Sequence, residues 1–304
     1  MKKAKYLIGI CFSMVVCTIL RAQGTSIPFE YYQGLIFMEI ETTNKDTLFC
    51  LFDTGAEISA VNEATSNKLK LPVIDSTQVT GSNATIDVKI VCMTKLTLKN
   101  HKVDSIAPTK RNLSHSLTPN NRILDMILGY DFFKESIIEI DFSKHEISII
   151  KDTALLTYTA YIPFSLDHNI PRFSGMASGK VILDFRLDTG ASLFDTDDIY
   201  INVTTDDWQR IQEINPNLKP EFHLIATGIN NEQIELPVIQ LDKVAIDILE
   251  IDTPYIIVQP KQGYFASPDA VGFVSNNLLS KYGCVAIDYI NNRLYYLPLK
   301  KQEK

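Results

Sequence analysis

The chain has little of what builds covalent staples, metal sites or nucleotide cradles. Only five of its 304 residues are cysteine, and two of these, Cys11 and Cys17, fall within the first 23 residues. The remaining Cys50, Cys92 and Cys284 are odd in number and stand in apolar, strand-like runs. They cannot all pair internally and read as buried free thiols, with a Cys50–Cys284 bridge left open. The five histidines, His101, His115, His145, His168 and His223, show no metal-ligand spacing, and no metal or other cofactor is expected. No run of basic residues offers a nucleic-acid surface, and no glycine-rich loop has the phosphate-cradling or dinucleotide pattern. Gly175-Met176-Ala177-Ser178-Gly179 misplaces its serine for a nucleophile elbow. Low-complexity segments are lacking too, and beyond residue 20 no apolar run is long enough to span a bilayer.

What is present is a globular composition, 45% hydrophobic, in a chain long enough for two lobes with a core each. The first residues carry a processing signal. Lys2, Lys3 and Lys5 precede an apolar stretch from Tyr6 to Leu20, and Arg21-Ala22-Gln23 leads into Gly24. This pattern predicts a secretory signal peptide over residues 1–23, cut near Gln23 or Gly24, and no membrane span afterwards. Bulky Ile10 and Val16 before Cys11 and Cys17 argue against a lipoprotein. Loss of the four basic residues of 1–23 takes the formal charge from −7 to −11. Such acidity repels nucleic acid.

The most informative feature is a repeat. Asp53-Thr54-Gly55-Ala56 returns as Asp188-Thr189-Gly190-Ala191, and Ile27-Pro28-Phe29 returns as Ile162-Pro163-Phe164, both 135 residues later. Ile138-Glu139-Ile140-Asp141-Phe142 is matched by Val285-Ala286-Ile287-Asp288-Tyr289 after 147 residues, so the second copy holds an insertion. Two long copies predict two similar lobes rather than a solenoid. The lobes are placed at 24–155 and 156–304, with a connector from Lys151 to Tyr161. Alternating apolar runs predict strands through most of both. In the first lobe they cover Leu35–Ile40, Leu48–Phe52, Ile86–Met93, Lys95–Leu98, Ile137–Asp141 and Glu146–Ile150. In the second they cover Phe173–Met176, Val181–Leu187, Phe222–Ala226, Ile234–Leu241, Val244–Ile251, Tyr255–Val258, Val285–Ile290 and Leu294–Leu297. Helices are few. Asn62 is the expected cap of one over Glu63–Leu69, and Thr205-Asp206-Asp207 of another running to Ile214. Short helices are expected near Tyr130–Phe133 and Asn276–Ser280.

Phe52-Asp53-Thr54-Gly55-Ala56 and Leu187-Asp188-Thr189-Gly190-Ala191-Ser192 resemble the active-site loops of aspartic peptidases. Alanine after the glycine, and the Ile-Pro-Phe approach, resemble the bacterial retropepsin-like branch. The resemblance covers nearly all the chain after residue 23. It implies an all-β, bilobal acid-protease fold, with two pseudo-symmetric β-barrel lobes and a cleft between them. It implies Asp53 and Asp188 as a catalytic dyad, supported by Thr54, Gly55, Ala56, Thr189, Gly190 and Ala191. In the family the two Thr hydroxyls bond across to the opposite loop. An apolar pair and a glycine lie beneath each loop; Ile127-Leu128-Gly129 fits, whereas Phe273-Val274-Ser275 has Ser275 in place of glycine. The family's flap falls at Thr80-Gly81-Ser82-Asn83, with Gly81 and Ser82 at its tip. Thr227-Gly228-Ile229-Asn230-Asn231 is the counterpart, with Gly228 at the tip.

The chemistry suits these residues. Two carboxylates within hydrogen-bonding reach share one proton, which supplies a base and an acid for hydrolysis of a peptide bond. The expected partner is an extended peptide or protein substrate. Both halves of the site lie in one chain, so no oligomer is required. Two rival readings are a non-catalytic peptide-binding module of the same fold and a processing peptidase dedicated to one envelope partner. Glu57 reads as a solvated side chain. Asn83, Asn112 and Asn202 fit the glycosylation pattern by incidental match. The leader places the protein outside the cytoplasm, in a bacterial periplasm or secreted.

Overall fold

The computed structural model describes residues 26–297 except Thr159, Phe194, Asp195, Asp197 and Ile248. The expected signal peptide, residues 1–23, lies outside the described residues. Among them, no helix is long and apolar enough to cross a membrane.

Strands dominate, and they form two ten-stranded sheets with one topology. The first follows the order Val73–Thr80, Thr85–Val91, Thr109–Arg111, Ala60–Asn62, Met126–Leu128, Thr47–Phe52, Leu35–Glu41, Met93–Leu98, His101–Ile106, with Glu30–Tyr32 also paired to Leu35–Glu41. The second runs Phe222–Thr227, Gln233–Gln240, Tyr255–Gln259, Tyr200–Thr204, Gly272–Val274, Val181–Leu187, Ile170–Ala177, Lys243–Ile246, Leu249–Asp252, with Ser165–Asp167 on Ile170–Ala177. Each strand of one sheet has its counterpart at the same place in the other. The duplicated sequence thus folds twice in the same way, giving the all-β, two-lobed acid-protease architecture.

A third sheet joins the lobes. Its six strands are ordered Ser26–Pro28, Glu146–Ile150, Ile137–Asp141, Cys284–Asp288, Arg293–Tyr296, Ala160–Pro163. The order reads as a palindrome of equivalent strands, so the pseudo-twofold axis passes between Ile137–Asp141 and Cys284–Asp288. The two Ile-Pro-Phe repeats occupy its edges, as short strands containing Pro28 and Pro163. A proline lacks the donor that a central strand needs, so the edge is its natural place. One apolar core runs from Phe52 and Leu128 through Ile138 and Ile287 to Leu187 and Val274. The shared sheet packs one face, with Ile138, Ile140, Ile147, Val285, Ile287 and Leu294, against this core, while its other face carries the partly exposed Glu139, Asp141, Ser148 and Arg293.

The helices follow local signals. Asn62 caps Glu63–Lys68 by accepting the Ala64 N–H at 3.2 Å. The helix Thr205–Ile214 is capped by Thr204, one residue earlier than expected. Thr204 accepts from the Asp207 N–H at 3.0 Å, and the Asp207 carboxylate accepts the Thr204 N–H at 3.3 Å. This reciprocal pair needs Asp at the third helical position, which only a start at Thr205 supplies.

Several expectations are corrected. The strand expected over Ile86–Met93 is two, Thr85–Val91 and Met93–Leu98. Between them the Cys92 N–H bonds to Pro72 O, and Met93 begins a new pairing with Ile106. Val73–Thr80, Tyr200–Thr204 and the three-residue strands beside the site were not foreseen. Val73–Thr80 has a polar, exposed outer edge, and three residues are too short for a periodic signal. Cys50 is a buried thiol, Cys92 and Cys284 are only partly buried thiols outside any disulfide, and no Cys50–Cys284 bridge forms. Asn202 is buried and accepts the Gln259 amide, which rules out a glycan there.

Candidate active site

Each Asp-Thr-Gly loop leaves the end of a long strand, Thr47–Phe52 or Val181–Leu187. Parallel partners hold both ends. Met126–Leu128 pairs with Thr47–Phe52, and the Asp53 N–H donates to Leu128 O at 3.0 Å. Gly272–Val274 pairs with Val181–Leu187, and the Asp188 N–H donates to Val274 O at 2.9 Å. The two aspartates therefore leave their sheets in the same direction from equivalent positions.

The loops lock to each other through Thr54 and Thr189, both fully buried. The Thr54 hydroxyl donates to Leu187 O at 2.7 Å and accepts the Thr189 N–H at 3.1 Å. In return the Thr189 hydroxyl donates to Phe52 O at 3.2 Å and accepts the Thr54 N–H at 2.9 Å. Four bonds thus connect residues more than 130 positions apart, and each hydroxyl uses its donor and an acceptor.

This grip brings the carboxylates together. Gly55 lies against the Asp188 carboxyl, where an added Cβ would stand 2.6 Å from Cγ. Gly190 lies as tightly against the Asp53 carboxyl. Any side chain at either glycine would push the opposite aspartate out. The glycine amides also serve their own loops: Gly55 N–H donates to Asp53 Oδ1 at 2.7 Å, and Gly190 N–H to Asp188 Oδ1 at 3.1 Å. Ala56 and Ala191 close each turn, their N–H groups reaching Asp53 O at 3.4 Å and Asp188 O at 3.5 Å.

Burial raises both acids. The Asp188 carboxyl is pushed up to about 8, first by burial and then by the charge of Asp53. Burial also raises Asp53, but the Gly55 N–H and the Arg111 guanidinium pull it back. The neighbours therefore favour the charge on Asp53 and the proton on Asp188.

Support beneath the loops differs between lobes. Gly129 sits against Ala56 O and Ser59, and its N–H donates to the Ser59 hydroxyl at 3.0 Å. Asp131 holds the Ser59 N–H at 2.8 Å and its hydroxyl at 2.5 Å. In the second lobe Ser275 takes the place of Gly129 and Asn277 that of Asp131. Asn277 accepts the Tyr200 N–H at 2.8 Å and donates to Asp198 O at 2.8 Å. Asn276 donates to Thr189 O and to Gly34 O, both at 2.9 Å, and so ties the second loop to the first lobe. The exchange of glycine for Ser275 leaves the backbone intact. Gly129 has φ −102° and Ser275 φ −125°, both extended, so backbone conformation requires glycine at neither; at Gly129 the requirement is space, since an added Cβ would stand 2.5 Å from Ala56 O.

The hairpins expected to be flaps meet each other. Gly81 lies in the turn between Val73–Thr80 and Thr85–Val91, and Gly228 in the turn after Phe222–Thr227. Asn83 Oδ1 accepts the Ile229 N–H at 3.0 Å, and its amide nitrogen donates to Asn230 Oδ1. Gly228 packs directly on the Asn83 amide, and Gly81 on Ile229. Gly81 O also accepts the Tyr264 N–H at 2.9 Å, and Gly263 packs on the same turn. Ser82 lies partly buried in this turn. Glu57 is exposed, as expected.

Sequence reading did not single out Arg111, Ser59, Asp131, Asn276, Asn277 or Tyr264. One signal was there to use. Tyr130-Asp131 and Asn276-Asn277 follow the two strand ends at the same spacing, and each offers a side-chain acceptor for a neighbouring backbone amide. No group of three or more His, Cys, Asp or Glu side chains among the described residues is arranged to hold a metal ion.

No curated protein is similar enough to the chain to count as a match. Residues 39–132, which contain Asp53, Gly81 and Gly129, match the aspartyl protease family of the retropepsin-like clan, and the two-lobed all-β fold is in line with that resemblance.

Proposed function

We propose that the protein is an aspartic endopeptidase whose dyad is Asp53 and Asp188. The observation that carries this is the reciprocal seating of the two loops, each glycine against the other loop's carboxyl. Asp53, favoured as the ionised member, takes a proton from water as that water attacks the scissile carbonyl carbon. Asp188, favoured as the neutral member, gives its proton to the carbonyl oxygen. The resulting tetrahedral diol collapses as its nitrogen takes the proton from Asp53, a diol hydroxyl returns its proton to Asp188, the C–N bond breaks to give acid and amine, and the dyad is left with one proton as at the start. Thr54, Gly55, Ala56, Thr189, Gly190, Ala191 and Gly129 hold the geometry, and rigid placement matters because errors of about 1 Å are costly to rate. The Gly81–Ser82 and Gly228 hairpins cover an extended peptide and exclude water. The reading includes a division into lobes at 24–155 and 156–304, and export directed by residues 1–23.

The test is a diverse peptide mixture incubated with the protein from acid to neutral pH and read by mass spectrometry. Cleavage lost in both Asp53→Asn and Asp188→Asn is the expected result. Cleavage that survives in either variant would remove that aspartate from the reaction. Peptides bound but never cut by the unaltered protein would favour the binding-module reading.

A further inference from the structure

The cleft carries one asymmetry of charge. Strand Thr109–Arg111 runs parallel to Ala60–Asn62, with Thr109 opposite Ala60 and Arg111 opposite Asn62. In the second lobe Tyr255–Gln259 runs parallel to Tyr200–Thr204, with Ile257 opposite Asn202 and Gln259 opposite Thr204. Asn62 and Thr204 are both helix caps, so the two strand pairs align on them. Arg111 then corresponds to Gln259, and Ala60 to Asn202.

These equivalents differ in chemistry. Gln259 is buried and satisfied, its amide donating to Asn202 Oδ1 at 2.7 Å. Ala60 has no side-chain acceptor to offer Arg111. Lys110, the preceding residue, reaches the helix side, where its Nζ donates to Asn67 Oδ1 at 2.6 Å and lies 3.9 Å from Glu63. Successive strand residues point to opposite faces, so Arg111 takes the other side. It is partly buried, and among the described residues its guanidinium has neither a hydrogen bond nor an ion pair. Its charge is felt at Asp53, whose carboxyl it pulls down, while burial pushes the guanidinium itself down. None of its nitrogens is among the buried atoms left without a partner, so the fork of five donors stays open to a ligand in the cleft.

We propose that Arg111 is a specificity residue that receives a carboxylate of the bound peptide, an Asp or Glu side chain, on the first-lobe side of the scissile bond. The proposal rests on the peptidase reading above. The planar guanidinium matches a carboxylate through two parallel bonds. The second lobe has no equivalent, because Gln259 is already engaged by Asn202. Substrates are therefore read with polarity, acidic on one side of the cut only.

The experiment uses peptide pairs taken from sequences that the protein cleaves, alike except for Glu or Gln at each position near the cut. Each pair is made with free and with amidated C termini. We expect kcat/KM to favour Glu by about tenfold or more at one position, the size of a charge-assisted bond. Arg111→Gln is expected to bring that ratio to about one, and Arg111→Lys to keep part of it. A preference that disappears on amidation would assign the site to a terminal carboxylate and overturn the side-chain assignment. A ratio near one in the unaltered protein, or one unmoved by Arg111→Gln, would overturn the proposal while cleavage still upheld the peptidase reading. Fluorescence anisotropy on a fixed set of Glu and Gln peptides separates the two claims. Tighter Glu binding that is lost in Arg111→Gln, without any turnover, would support Arg111 and sink the peptidase reading instead.

Discussion

Thr54 and Thr189 each replace what a covalent link would do, because each satisfies a donor and an acceptor of the opposite lobe. Thr54→Val keeps the shape but strands the Leu187 carbonyl and the Thr189 amide in a dry site. The expected cost is about 2–4 kcal/mol, from two unsatisfied groups at about 1–3 kcal/mol each with partial relaxation. Thr54→Ser should recover most of it, and denaturant unfolding of both variants measures the difference. Asp188 gives a prediction of opposite sign. Its folded-state value of about 8 exceeds that of an unfolded aspartate. The folded protein thus holds a proton that the unfolded chain releases, and stability falls as pH rises from about 4 towards 8. Asp188→Asn removes this penalty. It should melt a few degrees higher than the unaltered protein at pH 7, and the gap should close below pH of about 4. A variant that is inactive and melts lower at pH 7 would contradict the assigned proton.

Among elements, the paired hairpins and the capped helix carry separable predictions. Asn83 is the contact between hairpin tips, joined to Ile229 and Asn230. Asn83→Ala should let the tips part more often. Hydrogen exchange at the Ile229 amide should quicken about fivefold or more, the loss of about 1 kcal/mol, with little change in global stability. Thr204→Ala removes the cap of Thr205–Ile214 and should lower stability by about 1 kcal/mol without altering the dyad. Both elements were read from short signals, a Gly-Asn turn and a Thr–Asp spacing. The cap was misplaced by one residue because Thr204 and Thr205 are chemically alike and only the strand end at Thr204 chooses between them.

At the scale of the molecule, the shared six-stranded sheet and the continuous core make the lobes interdependent. Calorimetry should show one transition, with van't Hoff and calorimetric enthalpies in agreement. Two transitions would mean that the lobes melt independently. The proposed cleavage depends on both lobes, since Asp53 and Asp188 meet only when the two loops lock together. Activity requires one proton on the pair. Asp188 is pushed up to about 8, while the Gly55 N–H and the Arg111 guanidinium pull Asp53 down against its burial, so the proton is held by Asp188 through neutral pH. The kcat/KM profile should hold through pH 7 and fall as pH rises through about 8.

The sequence by itself determined a great deal. The repeat of Asp-Thr-Gly-Ala, spaced with Ile-Pro-Phe, carried the two-lobed fold and the pairing of Asp53 with Asp188, because a duplicated segment of the same pattern folds alike twice. Gly81 and Gly228 were legible as turns between strands. The tertiary structure alone decided the rest. Arg111 is one of many charged residues on a polar stretch, and nothing local marks it. Its meaning arises from the parallel register with Ala60–Asn62, and from the contrast between Ala60 and Asn202 across a pseudo-twofold axis. The tolerance of Ser275 likewise depends on an extended backbone that no residue type announces. Local sequence sets turns, caps and strand pattern through short-range sterics. The chemistry of the cleft depends on which distant side chains share a dehydrated space, and only the folded chain specifies that.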